Sequence, residues 1–487
     1  MQIRFDRGTV LIDPFRTSVD PATLPGVAWD PRTRSWRAPA DAYAALLARL
    51  ADAGLPFKTQ LPDHDASTVG WSMPDLRWYQ REALAAWGAA NRRGVVALPT
   101  GAGKTMVAVA AIASCGVSAL CLVPTRVLLD QWAKVLLRHV GEVGRLGDGQ
   151  RSVAPVTVAT YASAITWAPK IGDRFGLVIV DEAHHVGAEC PGDVLEMLVA
   201  PARLGLTATP PVGDAALPLE RHVGSVLYTL AIDDLVGDAL ADFDLVTIPI
   251  RLNNDERVRY EAERRLFTTA FASFQRTAQG PRRHPVAGFA GKGPKPGSDW
   301  QTFVSAAMRS EDGRRALAAW RTSKEILAYP EDKRRVLREL LARHADRRTL
   351  VFTPDNRTAY EIARELLVYP ITHEIGRKER ASALDRFTAG EINVLVSAQV
   401  LDEGLDVPDA ELAIVVGGSA SPRRHVQRIG RVLRPAPGKR ARVYELTVTD
   451  SVEVDHVRRR RRGIYGVGPE KSRTASDPLD SRGQRPS

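Results

Sequence analysis

One segment constrains the fold more than any other: a short apolar strand that runs into a glycine-rich loop, which in turn opens a helix. The strand is predicted at residues 95–98, and the loop reads LPTGAGKT at residues 98–105. Glycines allow backbone N–H groups to surround a phosphate, and the helix N-terminus adds favourable partial charge. Leu98 replaces the first glycine of the long form of this pattern, and a plain glycine-rich turn is the alternative interpretation. The segment predicts an ATP–Mg²⁺ site with contacts from Pro99, Thr100, Gly101, Ala102, Gly103, Lys104 and Thr105, of which Lys104 reaches the β/γ-phosphates and Thr105 binds the metal.

A second apolar strand delivers two carboxylates. Residues 177–180 read LVIV and are followed by Asp181, Glu182, Ala183 and His184. Ligand sites of open α/β sheets form at the carboxyl ends of the strands. We expect Asp181 to hold Mg²⁺ through water and Glu182 to orient or deprotonate the attacking water. For His185, the next residue, a polar or packing role is favoured.

The patterning divides the 487 residues into five segments, as expected for a chain too long for one core. Residues 1–62 predict a small N-terminal α+β module. Residues 63–245 and 346–464 alternate Val/Leu-rich runs with amphipathic helices, which indicates two parallel-sheet domains in tandem. Strands are predicted among these runs at residues 119–123, 349–352 and 394–397. Residues 246–345 predict a helical basic insert, and residues 465–487 a disordered polar tail. The predicted fold class is therefore α/β. The uncharged stretch at residues 106–124 is interpreted as a buried helix, a turn and a buried strand, rather than as a membrane span.

The net charge indicates the class of binding partner, and the cysteine content indicates the redox compartment. The net charge of +10 and the pI near 9.6 favour an anionic partner, with nucleic acid ahead of a membrane surface. The insert holds twenty lysines and arginines against eleven acidic residues. Its Phe267, Phe271 and Phe274 recur at helical spacing, and a core stripe is favoured over a base-stacking platform. The three cysteines have no metal-ligand spacing, and their odd number argues against a disulfide framework; we expect a reducing compartment.

The run QRIGRVLR at residues 427–434 places three arginines at three-residue spacing. Apolar residues alternate with them, so we expect a half-buried helix rather than a solvated one. Arginine stays charged and offers forked donors, which suits the γ-phosphate during phosphoryl transfer. We therefore expect Gln427, Arg431 and Arg434 to act on a nucleotide bound by the first α/β domain.

Taken in order, these motifs resemble those of superfamily-two helicases, motors of two RecA-like domains, over about residues 70–450. LRWYQ at residues 76–80 resembles the adenine-recognising element, with nucleotide contacts from Arg77 and Gln80. LVPTR at 122–126 and TY at 160–161 resemble strand-binding motifs, and LTATP at 206–210 resembles the motif that couples hydrolysis to movement. VSAQVLDEGLDVP at 396–408 resembles a motif that senses nucleotide and strand. The resemblance implies nucleotide contacts from Gly404 and Asp406, nucleic-acid contacts from Pro124, Thr125, Arg126, Thr160 and Tyr161, and coupling through Thr207 and Thr209.

Within the superfamily the chain most resembles the XPB-like, DEAH-type DNA helicases of prokaryotes. The small N-terminal module resembles their damage-recognition domain, and the DEAHH run and the basic insert also match. The resemblance implies an ATP hydrolase that drives 3′-to-5′ movement on DNA, with a single strand or a single/double-strand junction as partner and DNA repair as the setting. We expect a cytoplasmic, nucleoid-associated monomer with no membrane partner.

One departure leaves an alternative open. In that group an Arg-Glu-Asp triplet follows the LTAT motif, whereas this chain has Val212, Gly213 and Asp214. A translocase that does not unwind DNA, working with a nuclease in genome defence, is therefore an alternative. A nucleotide-gated DNA-binding scaffold and an RNA substrate are further alternatives.

Overall fold

The computed structural model describes residues 1–13, 20–62, 71–231, 234–235, 242–278, 298–398, 410–418, 421, 425, 428 and 440–465. The chain forms two compact units: the first contains residues 1–234, and the second contains most of the chain from residue 235 onward.

The first unit begins with a small sheet packed against one helix. Its strands are β1 (Gln2–Asp6), β2 (Thr9–Asp13), β3 (Ala28–Asp30), β4 (Ser35–Pro39) and β5 (Lys58–Thr59), in the order β3-β4-β2-β1-β5. Helix α1 (Tyr43–Asp52) buries Leu46 and Leu50 against Ile3 and Ile12. The α+β character predicted for residues 1–62 is confirmed.

The rest of the first unit is an eight-stranded sheet in the order β13-β6-β12-β11-β7-β10-β8-β9. Among its described strands, all pairings except β8 with β9 are parallel. Every residue of the central β7, β10, β11 and β12 is buried, which is why β7 and the first four residues of β11 read as continuous apolar runs. The strands are β6 (Arg93–Ala97), β7 (Ala119–Val123), β8 (Gly144–Gly147), β9 (Gln150–Ser152), β10 (Val156–Thr160), β11 (Leu177–Asp181), β12 (Ala202–Thr207) and β13 (Val226–Thr229).

Helices connect these strands. They are α2 (Trp78–Ala89), α3 (Lys104–Cys115), α4 (Arg126–Val140), α5 (Tyr161–Ile171), α6 (Gly192–Glu196) and α7 (Leu217–His222). Helix α3 ends at Gly116, whose φ of 66° is left-handed, and β7 follows, so the uncharged stretch is the predicted helix, turn and strand. In the described part of the chain no helix is long and apolar enough to cross a membrane. All three cysteines are buried free thiols.

The second unit contains a six-stranded parallel sheet in the order β14-β19-β18-β15-β17-β16. Its strands are β14 (Asp242–Ile250), β15 (Thr349–Phe352), β16 (Tyr369–Ile371), β17 (Val394–Ser397), β18 (Leu412–Val415) and β19 (Arg440–Val448). The predicted runs at residues 349–352 and 394–397 coincide with β15 and β17. The predicted boundary at residue 245 lies inside β14, which pairs with β19 along its whole length.

Three helices of the predicted insert form a satellite core of their own: α8 (Asn254–Ala278), α9 (Ser298–Ala307) and α10 (Glu311–Ala328). Phe267 and Phe271 are buried there against Phe303, so the phenylalanine stripe belongs to a core, as favoured. The remaining helices are α11 (Glu331–Arg343), α12 (Asn356–Leu366), α13 (Arg377–Thr388) and α14 (Val452–Tyr465). Helix α11 packs Leu337 and Leu340 into the core of the second sheet. The Gly/Pro-rich stretch at 280–297 and the tail from 466 lie outside the described residues.

Candidate active site

The glycine-rich loop connects β6 to α3 in the first unit. Gly101 and Gly103 have φ angles of 89° and 76°, in the left-handed region that glycine enters without strain. Gly103 is the N-cap of α3, and no side chain caps this helix end. The first backbone N–H groups of α3 are therefore available to an anion. Lys104 begins the helix, and its Nζ donates to the carbonyl oxygen of Leu98 at 3.3 Å.

Side chains at the start of α2 hold this loop. The Gln80 amide is buried and donates to the carbonyl oxygens of Ala102 at 2.9 Å and Gly103 at 3.3 Å. The Tyr79 hydroxyl donates to the same Ala102 oxygen at 2.8 Å. The Gln80 carbonyl accepts the backbone N–H of Arg77 at 2.9 Å. Both N–H bonds of Gln80 are thus directed at the loop, and its oxygen keeps one lone pair that an adenine amino group could use. That nucleotide role stays a prediction.

Asp181 ends β11 at the carboxyl edge of the sheet and is buried. Its Oδ1 accepts the backbone N–H of Glu182 at 3.0 Å, and its Oδ2 accepts the indole N–H of Trp132 at 2.8 Å. Burial, together with the neighbouring Glu182 carboxylate, raises the pKa of Asp181, while Lys104 and the indole hydrogen bond act in the opposite direction. A buried carboxylate whose charge is disfavoured in this way fits a site that receives a cation.

Glu182 has a strained backbone and an unsatisfied side chain. Its φ of 48° is left-handed, a conformation that costs a non-glycine residue on the order of 1–3 kcal/mol. Its buried Oε2 has no hydrogen-bond partner among the described residues, although it lies 3.4 Å from Nδ1 of His184. The buried hydroxyl of Thr100 in the loop also has no hydrogen-bond partner among the described residues. These unsatisfied atoms fit a site that binds phosphate, metal and water.

The predicted coupling motif lies at the end of β12, beside β11. The ring Nδ1 of His184 is 3.0 Å from the Thr207 hydroxyl, which also accepts the backbone N–H of Thr209 at 3.2 Å. Thr207 is therefore in contact with the DEAH run. His185 is buried with its Nδ1 3.1 Å from Glu189, in agreement with a polar or packing role.

The predicted strand-binding residues lie at the starts of α4 and α5. Thr125 and Thr160 are the N-caps, accepting the N–H groups of Leu128 and Ser163 respectively. Arg126 is exposed and pairs with Asp148 at 3.2 Å. Pro124, which follows β7, is partly buried.

Tyr161 is 3% exposed, and its hydroxyl donates to the carbonyl oxygen of Asp181. Its ring therefore lies inside the unit, and a strand contact at this position would come from its backbone.

Several predicted residues lie outside the described part of the chain: Gly404, Asp406, Gln427, Arg431 and Arg434. Their neighbours His425 and Arg428 are described, and both are buried. Arg428, the first arginine of the QRIGRVLR run, donates to the carbonyl oxygen of Ala398 at 2.7 Å. Its guanidinium also lies over the ring of Phe352 at 5.3 Å. Arg428 is thus held by the second unit's own backbone at the ends of its strands.

Two features were not predicted from the sequence: the contact of Trp132 with Asp181 and the burial of Arg428. Trp132 lies on the buried face of α4 with Leu129, Ala133 and Leu136. A buried indole N–H needs an acceptor, so helical periodicity could have predicted a polar partner for it. Nothing local in the sequence identifies that partner as residue 181.

Val212 and Asp214 stand where the XPB-like group has the first and last residues of its Arg-Glu-Asp triplet. Both lie in an exposed turn before α7.

Models of three protein families match successive parts of the chain. They are the Xeroderma pigmentosum group B helicase damage recognition domain at residues 3–60, the type III restriction enzyme res subunit at residues 73–212, and the helicase conserved C-terminal domain at residues 332–436. The helicase domain of Hef from Pyrococcus furiosus has a similar structure, with a TM-score of 0.50 and 20% identity over 79% of this chain and 98% of that domain. That similarity supports the fold of tandem RecA-like domains.

Curated relatives extend over nearly the whole sequence. The chain is 32% identical over 461 residues to the DNA 3′-5′ translocase XPB2 of Sulfurisphaera tokodaii, a match that covers 94% of this chain and 99% of the relative. It is 28% identical to the DNA 3′-5′ helicase XPB of Kineococcus radiotolerans over 85% of this chain, and 28% identical to that of Mycobacterium tuberculosis over 82%. It spans 67% and 65% of those two relatives' own lengths. With the phosphate loop, the DEAH run and the N-terminal module in this order, the chain belongs to the XPB family of superfamily-two helicases.

Proposed function

We propose that the protein is an ATP-dependent DNA helicase or translocase that moves 3′ to 5′ along DNA, with DNA repair as its setting. The observation that carries the proposal is the convergence at one sheet edge. The phosphate loop follows β6 and the carboxylates follow β11. The predicted strand-binding residues follow β7, which lies next to β11 in the sheet, and β10, which lies next to β7. Nucleotide and strand would thus bind at neighbouring strand ends of one parallel sheet.

The first unit's own residues supply most of the hydrolytic site. The free N–H groups at the start of α3 and the Lys104 ammonium would hold the phosphates. The Thr105 hydroxyl and, through water, the Asp181 carboxylate would hold Mg²⁺, which when bound neutralises charge that develops on the phosphates. Glu182, with its unsatisfied Oε2, would accept a hydrogen bond from the attacking water and so orient it.

The second unit's contribution remains a proposal from its sequence. Arg431 and Arg434 would donate to the γ-phosphate and Gln427 would assist them, while Gly404 and Asp406 would contact the nucleotide.

The strand would meet the chain through backbone and side-chain donors at the starts of α4 and α5. Arg126 is exposed there, whereas the side-chain oxygens of Thr125 and Thr160 accept their own helices' N–H groups. Contacts to phosphates release counterions, so the affinity for single-stranded DNA should fall with salt at about 0.7 log units per log unit for each phosphate bound.

The decisive test is ATP hydrolysis with and without single-stranded DNA, duplex DNA and RNA, for the wild type and Glu182→Gln. We expect stimulation by DNA and a loss of about 10²–10⁴-fold in kcat for the variant, since general-base contributions have that size. Glu189→Gln, an exposed carboxylate seven residues further on, is the matched control and should retain turnover. Unchanged turnover in Glu182→Gln would support the scaffold alternative, and equal stimulation by RNA would refute the DNA assignment.

Direction and unwinding need a second pair of assays. Displacement of streptavidin from the 5′ end but not from the 3′ end of a single strand would establish 3′-to-5′ movement. Displacement of a base-paired strand would establish unwinding. Streptavidin displacement without strand separation would favour the translocase alternative, which rests on the missing Arg-Glu of the triplet. We expect the active species to be a monomer, which sedimentation under assay conditions would test.

A further inference from the structure

The indole of Trp132 is a buried donor directed at the metal-binding carboxylate. Trp132 lies in the middle of α4, is 2% exposed, and donates from Nε1 to Oδ2 of Asp181 at 2.8 Å. The other carboxylate oxygen accepts the N–H of Glu182 at 3.0 Å. One bond to each oxygen fixes the orientation of the carboxylate plane and leaves a lone pair on each oxygen for water. The orientation of Asp181 therefore depends on the position of α4.

A second buried donor reaches the same residue from a different helix. Tyr161 is the first residue of α5, and its hydroxyl donates to the backbone carbonyl oxygen of Asp181. Trp132 thus holds the side chain of Asp181, and Tyr161 holds its backbone. Indole N–H is a donor only, and a phenol O–H that meets a carbonyl oxygen must donate, so both contacts run toward Asp181.

Both helices start where the strand is expected to bind. Arg126, exposed at the start of α4, is six residues from Trp132, or about 9 Å along the helix axis. Tyr161 is itself at the start of α5. The two helix starts are fixed by the hydroxyls of Thr125 and Thr160, which accept the N–H groups of the first turns. A displacement of the start of α4 would therefore pass along that helix to Trp132, and a displacement of the start of α5 would move Tyr161 directly.

We propose that Trp132 and Tyr161 are positioning residues that transmit the occupancy of the DNA strand to Asp181. With a strand bound at the starts of α4 and α5, the two donors hold the carboxylate in the orientation that supports Mg²⁺–nucleotide binding and hydrolysis. Without the strand, the helices shift and that orientation is occupied less. The proposal rests on the proposed function and names the physical connection by which DNA stimulates turnover.

Energetic coupling between two ligands is reciprocal, which provides a binding readout that is independent of turnover. Single-stranded DNA therefore changes the affinity for Mg²⁺–nucleotide by the same factor as Mg²⁺–nucleotide changes the affinity for DNA. If Trp132 and Tyr161 carry the coupling, these two side chains set the size of that factor. That factor should approach one when the donors are removed, while the affinity for DNA alone is unchanged.

The test compares Trp132→Phe, Tyr161→Phe and the double variant with Trp87→Phe in the full-length protein. Trp87 is a matched control: it is also 2% exposed, and its indole donates to the carbonyl oxygen of Arg203 at 2.9 Å, away from Asp181. DNA affinity is measured by anisotropy of a labelled oligonucleotide with and without Mg²⁺ and a non-hydrolysable ATP analogue. ATP hydrolysis is measured with and without the oligonucleotide.

We expect Trp132→Phe to reduce the coupling factor and the DNA stimulation together by about ten- to a hundredfold, the range for loss of a hydrogen bond to a charged group. Tyr161→Phe should reduce both in the same direction, and Trp87→Phe should leave both unchanged.

Three outcomes would overturn the proposal. The first is full coupling in Trp132→Phe and Tyr161→Phe. The second is an equal loss of basal and stimulated turnover with the coupling factor intact, since Trp132 would then serve the chemistry alone. The third is an equal loss of coupling in Trp87→Phe. If the wild type itself shows no DNA stimulation, the proposed function fails as well, whereas intact wild-type stimulation confines the failure to the positioning role. Tyr161→Phe removes one oxygen atom and provides the answer if Trp132→Phe does not fold.

Discussion

Replacing Glu445 with glutamine should destabilise the second unit by about 3 kcal/mol. Glu445 lies on β19 with its carboxylate buried. Its Oε1 accepts Nε of Arg460 at 2.7 Å, and its Oε2 accepts Nε of Arg461 at 2.8 Å, both from α14. The ring Nε2 of His425, six residues before Arg431, lies 3.5 Å from Oε1. One carboxylate therefore connects the sheet, the C-terminal helix and the segment that leads to the predicted arginine fingers.

The magnitude follows from two independent arguments. Burial alone would raise the pKa of Glu445, but Arg460, His425 and Arg461 outweigh it and lower the pKa from 4.5 to about 2. At 1.36 kcal/mol per pKa unit, that difference corresponds to about 3 kcal/mol of stability at neutral pH. Removing one partner of a buried ion pair typically costs about 3–5 kcal/mol, because the other charge stays buried and unpaired. Both arguments give the same scale.

The assay is urea denaturation of the full-length protein over a range of pH, with hydrogen exchange in β19 and α14 identifying the transition of the second unit. Because the pKa of Glu445 is lower in the folded state, its contribution is complete above about pH 4.5 and is lost as the pH falls toward 2. Burial also lowers the pKa of His425 to about 3, which adds a separate loss of stability below its ordinary pKa of 6.5. Glu445→Gln should keep the His425 loss and lack the Glu445 loss.

The control is Glu325→Gln, which removes an exposed ion pair with Arg357 at 3.0 Å in the same unit. Exposed pairs contribute about 0–1 kcal/mol, so this variant should be nearly neutral. If Glu445→Gln is no less stable than Glu325→Gln at pH 7, the ion cluster does not hold α14 on the sheet and the reasoning is refuted.

Three further substitutions test other parts of the structure. Gly103→Ala should abolish ATP binding, because a Cβ at this position would lie 2.6 Å from the buried amide nitrogen of Gln80. The control is Gly54→Ala, at a residue that also has a left-handed φ but faces open space. Its nucleotide affinity, measured by fluorescence, should not change. Lys333→Met should lower the free energy of unfolding, measured by urea denaturation, by about 3–5 kcal/mol, because it leaves the partly buried Glu453 carboxylate without its ion-pair partner. Adding Glu453→Gln should recover part of that stability. Additive losses in the double variant would refute the pairing. Arg126→Ala should weaken the binding of single-stranded DNA and lower its salt dependence by about 0.7, and an unchanged slope would exclude a phosphate contact.

The sheets and the nucleotide loop could be predicted because their signals are local. Strands covered on both faces read as apolar runs, so β7, β11, β15 and β17 were predicted within a residue of their observed bounds. The phosphate loop was predictable because glycine spacing, a preceding strand and a following helix all lie within about twenty residues.

Contacts between residues distant in the chain could not be predicted from such signals. Trp132 and Asp181 are 49 positions apart, and they meet because β7, which precedes α4, pairs with β11. The boundary predicted at residue 245 lies inside β14 for the same reason, since the pairing of β14 with β19 joins residues about 200 positions apart. The strand order of a parallel sheet is set by long-range packing, and a single sequence read by itself carries little information about that order.

The strand order also explains how, under the proposed coupling, one carboxylate would respond to both ligands. Neighbouring strands lie about 4.8 Å apart, so the ends of β11, β7 and β10 occupy about 10 Å of one sheet edge. Asp181 ends β11, and the helices that follow β7 and β10 must turn back across the same edge. A large side chain on the inner face of α4 therefore reaches the end of β11 directly, as Trp132 does at 2.8 Å. In this sheet, the proposed communication between DNA strand and nucleotide would need no long pathway, because one hydrogen bond across one strand spacing connects α4 to the edge that carries the predicted catalytic carboxylates.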